Sequence, residues 1–321
     1  MKNPVKTLLS VTLGLSLLTG CTANTESEEL GVINTQPTDD VAVTNPPETL
    51  DLVVSILPQE YFVRKIAGEK AEVTVLVQPG SEPETYEPLP QQLTAISQSQ
   101  AYIALGVSLE RGWLSKIESL NPDLVIINSG EGVPLIPMVE HHHHHDHDHD
   151  HDHGHSHGED GLDPHIWLSP QLVKIQAQNI YQGLVELDPE NQAEYQQNLD
   201  NFLAEIDQLD TEIRDNLSGI ENRKFIVFHP AWGYFAQEYD LEQIPIEVGG
   251  VEPSAAQLGQ LVNRAQAEDI RVIFAQYQFN SRTAETIAQE IGGEVVFIDP
   301  IAPNWSENLL KVSETFANTL K

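Results

Sequence analysis

DPENQAEYQQNLDNFLAEIDQLDTEIRDNLSG, residues 188–219, decides how the chain is organised. Tyr195, Leu199, Phe202, Leu203, Ile206, Leu209, Ile213 and Leu217 recur every three or four residues, which lays one apolar stripe along a helix. Asp188 is placed to cap it, Pro189 suits its first turn and Gly219 ends it. Over residues 189–217 such a helix is ~43 Å long at ~1.5 Å per residue, enough to run down the side of two folded bodies. A stiff connector of that kind allows only small relative motion of what it joins.

On either side of the helix the pattern changes to short apolar runs. Residues 52–57, 73–77, 102–105 and 124–127 precede it, and 225–228, 244–248, 272–274 and 295–298 follow it. Each run is bounded by Pro, Gly, Asn or Asp and separated from the next by a helical stretch, the signature of buried parallel strands in α/β units. The chain is therefore expected to be α/β, with two similar lobes, each around a parallel sheet, joined by a long rigid helix. The expected boundaries are 50–188 for the first lobe, 189–219 for the connector and 220–321 for the second lobe.

The first 49 residues have a different character. Lys2 and Lys6 precede an apolar stretch over 8–18, and Leu18-Thr19-Gly20-Cys21 follows, a secretory signal over 1–20. The Leu-Thr-Gly-Cys end resembles the bacterial lipobox, which implies that Cys21 is the lipidated residue of an exported protein in the cell envelope, facing the periplasm or exterior. Cys21 is the only cysteine in 321 residues, so no disulfide or thiolate metal site is available elsewhere. Residues 21–49 are too poor in apolar side chains to fold alone and read as a disordered tether. With 16 basic against 49 acidic residues, the formal charge of −33 argues against nucleic acid and against a polybasic membrane surface.

Eleven of the thirteen histidines fall in HHHHHDHDHDHDHGHSHG. They are His141, His142, His143, His144, His145, His147, His149, His151, His153, His155 and His157, in a low-complexity loop expected over 139–160. Imidazole is the commonest side-chain ligand of late first-row divalent metals and is mostly neutral at pH 7, so this loop reads as an auxiliary metal-gathering segment. An affinity tag or an inert loop is the bland alternative, but interleaved Asp residues inside the chain fit neither a tag nor chance well.

Only His165 and His229 lie outside the tract. His165 stands in Asp163-Pro164-His165-Ile166-Trp167-Leu168, just ahead of a helix expected to begin near Ser169 or Pro170. His229 follows the run 225–228, at the carboxyl edge of a sheet where ligands of α/β proteins gather. Pro79-Gly80-Ser81-Glu82-Pro83-Glu84-Thr85-Tyr86-Glu87-Pro88 leaves another strand end with three carboxylates, and Asp299 ends the last strand. Taken singly each acid reads as a solvated loop charge, whereas together these positions outline a cleft site.

These motifs, in this order, resemble the zinc/manganese solute-binding lipoproteins of bacterial ABC importers, also called cluster A-I, over about residues 52–310. The resemblance rests on Pro79 to Pro88, Asp163 to Leu168, Phe228-His229-Pro230-Ala231-Trp232-Gly233-Tyr234-Phe235, Gly249-Gly250-Val251-Glu252-Pro253-Ser254, Gln278-Phe279-Asn280-Ser281-Arg282 and Ile298-Asp299-Pro300. It implies a metal site of Glu84, His165, His229 and Asp299, with Glu84 standing where relatives usually have histidine. It implies Zn²⁺ as the cargo, Mn²⁺ as the alternative, and a permease with its cytoplasmic ATPase as partners of a monomer. A secreted zinc hydrolase is the rival from another class, but no His-Glu-x-x-His pattern supports it. An adhesin or a metal buffer would share the same site.

Overall fold

The computed structural model describes residues 49–138, 161–247, 251, 253–279 and 281–320. The expected signal at 1–20, Cys21, the tether up to residue 48 and the eleven histidines of the tract lie outside the described residues.

Among the described residues, eight strands form two four-stranded parallel sheets. The first comprises β1 (Leu50–Val54), β2 (Ala71–Val75), β3 (Ala101–Ala104) and β4 (Val125–Asn128), in the order β2-β1-β3-β4. The second comprises β5 (Lys224–Val227), β6 (Glu242–Pro245), β7 (Val272–Ala275) and β8 (Glu294–Phe297), in the equivalent order β6-β5-β7-β8. Parallel strands require crossovers, supplied by α1 (Leu57–Ala67), α2 (Pro90–Gln98) and α3 (Ser108–Leu120) in the first lobe. In the second lobe they are α6 (Gly233–Glu238), α7 (Ala255–Ala267) and α8 (Arg282–Ile291). Between the lobes run α4 (Pro170–Leu187) and α5 (Gln192–Leu217), and the chain closes with α9 (Trp305–Thr319).

The eight expected runs all become strands, with ends shifted by up to three residues. The connector helix starts at Gln192 and not at the expected Pro189, and the Asp188 carboxylate accepts from the Asn191 side chain and Tyr195 Oη at 2.6 Å each. Residues 189–191 form a tight 3-10 turn ahead of α5. At 26 residues α5 is ~39 Å long. Its buried stripe of Tyr195, Leu199, Phe202, Ile206, Leu209, Ile213 and Leu217 is the expected one with Leu203 at its margin.

Two helices join the lobes. Asn198 of α5 donates to Ile66 O of α1 at 3.0 Å, and Asn216 donates to Ser313 Oγ of α9 at 2.9 Å. Helix α9 sends Trp305 against Phe62 of the first lobe, with ring centroids 5.1 Å apart, and Phe316 against Phe225 and Phe274 of the second sheet at 4.8 and 4.5 Å. Burying one such ring is worth roughly 1.5–3 kcal/mol. Both lobes accordingly belong to one compact unit. Among the described residues no helix is long and apolar enough to cross a membrane.

Each sheet has a switch point where successive crossovers change side, between β1 and β3 and between β5 and β7. Ligands of α/β sheets collect in the crevice beyond the strand ends there. In the first lobe the chain fills the crevice itself. Buried Glu110 of α3 accepts from Leu105 N and Gly106 N at 2.9 and 2.6 Å and from Ser55 Oγ at 2.5 Å. Burial pushes the Glu110 carboxyl up, while Ser55 and the backbone N–H groups act against that rise. The second crevice receives His229.

Candidate metal centre

Three of the four expected ligands converge. Glu84 comes from the loop after β2, His165 from the segment before α4, and His229 from two residues beyond β5. One ligand atom of each lies within 4.8 Å of the others. His165 Nε2 and His229 Nε2 are 3.3 Å apart, and Glu84 Oε1 is 3.6 Å from the first and 3.4 Å from the second. Ligands at ~2.0–2.1 Å in a tetrahedron are separated by about 3.3–3.4 Å, so this spacing fits a small first-row divalent cation.

Both imidazoles are held in place by buried acceptors. His165 is 3% exposed, and Asp163 Oδ1 accepts from both its backbone N at 2.9 Å and its Nδ1 at 2.6 Å. His229 is 6% exposed, with Nδ1 3.5 Å from Oε1 of buried Glu247. A carboxylate can only accept, so it fixes the proton on Nδ1 and leaves the Nε2 lone pair for a cation. Gln276 pairs with the His229 backbone in both directions, at 3.2 and 2.8 Å, and Phe279 stacks on its ring at 4.8 Å.

Charge is arranged accordingly. Burial pulls His229 down, but hydrogen bonds to Glu247 and Glu84 and their charges outweigh it and hold it at about 9. Burial likewise pulls His165 down, and the charge and hydrogen bond of Asp163, then Glu84, raise it above its ordinary value. Burial alone would raise Glu84, yet hydrogen bonds from the two histidines keep its carboxyl well below the usual range. Protons therefore compete with a cation for these imidazoles, and metal binding is coupled to their release.

Asp299 stands beside the cluster and is not one of the three converging groups. Its Oδ1 accepts from Gln278 Nε2 and Ile301 N at 3.0 Å each. Asp299-Pro300-Ile301 thus repeats the turn of Asp163-Pro164-His165, in which the Asp oxygen takes the N–H two residues on. Neighbouring Pro300 and Ile301 line the cavity with Glu84, His165 and His229. Of the other two carboxylates near Glu84, burial and the charge of Glu84 push Glu82 up.

The segment carrying His165 is bound to the second lobe. Trp167 Nε1 donates to Pro300 O at 2.7 Å, Trp305 Nε1 donates to Trp167 O at 2.6 Å, and Tyr234 Oη donates to Asp163 O at 2.8 Å. Ser169 caps α4, as expected, and also bonds the Glu238 carboxylate of α6. These bonds fix both histidines on one framework.

Two α/β lobes on a rigid helix, with a buried His–His–carboxylate cluster between them, define a solute-binding protein for a divalent metal. A family model described as the periplasmic component A of the zinc-uptake complex, ZnuA, matches residues 52–321. The chain belongs to this family, whose members bind metal as transport components and are not enzymes. The chain is 32% identical to the high-affinity zinc uptake system protein ZnuA of Bacillus subtilis (strain 168), over 79% of each chain. It is 28% identical to the zinc-binding protein AdcA of Streptococcus pyogenes serotype M3, over 84% of this chain, and spans about half that relative's length (54%). A crystal structure of a ZnuA 138–173 deletion mutant with zinc bound superimposes with a TM-score of 0.77 and 43% identity, over 85% of this chain and 98% of that one.

Asp163, Glu247, Gln276 and Phe279 were not among the expected site residues. The Asp-Pro-His turn could have revealed Asp163, since an Asp accepting from the residue two positions on is a local pattern. The other three come from loops after β6 and β7 that meet His229 only in the fold.

Proposed function

We propose that this chain captures Zn²⁺ outside the inner membrane and delivers it to an ABC permease. Glu84, His165 and His229 hold the ion in the cleft, and Asp299 joins them. The observation that carries the reading is the 3.3–3.6 Å triangle of Glu84 Oε1, His165 Nε2 and His229 Nε2, with both Nδ1 atoms facing carboxylates. Asp299 Oδ1 is engaged by Gln278 and Ile301, which leaves Oδ2 as the oxygen it can offer.

The tract at 139–160 gathers metal loosely beside this tight site, and a lipid on Cys21 holds the protein at the membrane through the 21–49 tether. Lobes at 50–188 and 220–321 shift slightly about the connector at 189–219 when they meet the permease. The bonds of Trp167, Trp305 and Tyr234 across the lobes favour small motions over wide opening.

Chelator-competition titration tests the assignment. Deleting residues 138–160 is expected to leave one tight Zn²⁺ site, and His229→Ala is expected to abolish it. Tight binding that survives His229→Ala would overturn the site, and tighter binding of Mn²⁺ than of Zn²⁺ would overturn the choice of cargo.

A further inference from the structure

Gln278, in the loop after β7, is assigned no role by the ligand set above, yet it lines the same cavity as Glu84, His165 and His229. Its Nε2 donates to Asp299 Oδ1 at 3.0 Å. The carboxylate has no proton to give, so this contact fixes the amide: nitrogen toward Asp299, oxygen away from it. That oxygen, Oε1, is buried and has no hydrogen-bond partner among the described residues.

Glu84 Oε2 is in the same condition. A buried acceptor without a donor costs about 1–3 kcal/mol, and folded chains rarely keep two around one cavity without a use for them. The cavity wall therefore presents two imidazoles, a carboxylate and an amide oxygen, a lining that only a cation or a strong donor satisfies. Water bound to a divalent cation is such a donor, because the ion polarises its O–H bonds.

We propose that Gln278 is a positioning residue of the metal centre, its Nε2 holding Asp299 Oδ1 so that Oδ2 meets the ion and its Oε1 accepting from a water carried by that ion. This rests on metal capture at Glu84, His165 and His229. Gln278 then couples the loop after β7 to the loop after β8 through the cargo, and Phe279, the next residue, stacks on His229 at 4.8 Å. One short loop would sense both sides of the bound ion.

The test uses the full chain with Zn²⁺ and, as a spectroscopic probe, Co²⁺. Gln278→Leu removes donor and acceptor together. It is expected to weaken the tight Zn²⁺ site by roughly 10–100-fold, as loss of outer hydrogen-bonding partners does, and to alter the Co²⁺ visible spectrum. The metal-free melting temperature should stay level or rise, because a buried unpaired oxygen is removed. Gln278→Asn, which withdraws both amide atoms by one methylene, should show the same loss if the leucine variant does not fold. Zn²⁺ affinity within twofold of wild type and an unchanged Co²⁺ spectrum in a folded variant would overturn the role of Gln278. Failure of the underlying reading looks different, because His229→Ala would then bind Zn²⁺ as wild type does.

Discussion

Replacing Gly233 by alanine is expected to weaken metal binding although residue 233 offers no ligand. A Cβ at this position would lie 2.5 Å from Asp163 Oδ2, below the 3.0 Å that real Cβ atoms essentially never cross and well short of the ordinary contact range that starts at 3.4 Å. The carboxylate must retreat by about 1 Å to reach van der Waals distance. Its backbone cannot easily follow, because Tyr234 Oη holds Asp163 O at 2.8 Å. The displacement therefore passes to His165, whose N and Nδ1 both bond Asp163 Oδ1. Metal sites tolerate about 0.2 Å in ligand distance, and loss of a ligand's outer partner costs about 10–100-fold in affinity. The crowding itself should cost about 1–3 kcal/mol of stability. Chelator competition with Zn²⁺ measures the first and thermal melting in EDTA the second. In an Asp163→Ala background the clash partner is gone, so adding Gly233→Ala should cost little more. Wild-type affinity in the single variant would refute the chain of contacts from Gly233 to His165.

Three further outcomes are expected. His229 is raised to about 9 in the metal-free protein, so its contribution to stability is complete below its ordinary value of ~6.5 and is lost as pH rises through 9. Glu84 is depressed, so its contribution is present above the ordinary carboxylate range and lost in acid. In EDTA the stability difference between wild type and His229→Ala should therefore shrink from pH 6.5 to 9, by no more than about 3 kcal/mol, while Zn²⁺ affinity rises over the same interval. A difference that stays constant across that range in melting experiments would contradict the proton-filled site. Burial and the charge of Asp210 raise Glu238 to about 7 against Ser169 and Arg214, so its preference for folding holds at low pH and is lost above 7. Glu238→Gln should raise the melting temperature at pH 8 and change it little at pH 5; the reverse order would refute this. Glu84→His should keep Zn²⁺ binding while weakening Mn²⁺ more, because it exchanges an oxygen for a nitrogen ligand. Parallel changes in the two affinities, measured by competition, would count against Glu84 as a determinant of selectivity.

Much of this architecture is legible in local pattern. Runs such as Ala101–Ala104 and Val272–Ala275 are apolar on both faces because helices cover both sides of a parallel sheet, and the α5 stripe keeps its period for about six turns. Element ends are less legible, since they depend on side-chain competition. Asp188 takes Tyr195 Oη and the Asn191 side chain and does not open α5, and residue 57, expected to end a strand, opens α1 with Pro58 in its first turn. His165 and His229 stand out as the two histidines outside the tract, whereas Glu84 is singled out from Glu82 and Glu87 by the family resemblance alone. Glu247, Gln276, Gln278 and Phe279 do not stand out, because their roles exist only once the loops after β5, β6 and β7 are brought together. The bond from Glu247 N to Phe228 O at 3.0 Å is one of the contacts that does so. Asp299 shows the converse: its strand-end position is legible, but not the capture of its Oδ1 by Gln278 and Ile301.

The most direct measurement is anomalous diffraction from crystals grown with Zn²⁺ and Mn²⁺ together, collected on either side of each metal's absorption edge. One strong zinc peak bounded by Glu84, His165 and His229, with Asp299 Oδ2 turned toward it, is the predicted result. A peak elsewhere, or manganese in that position, would contradict capture of zinc by this centre.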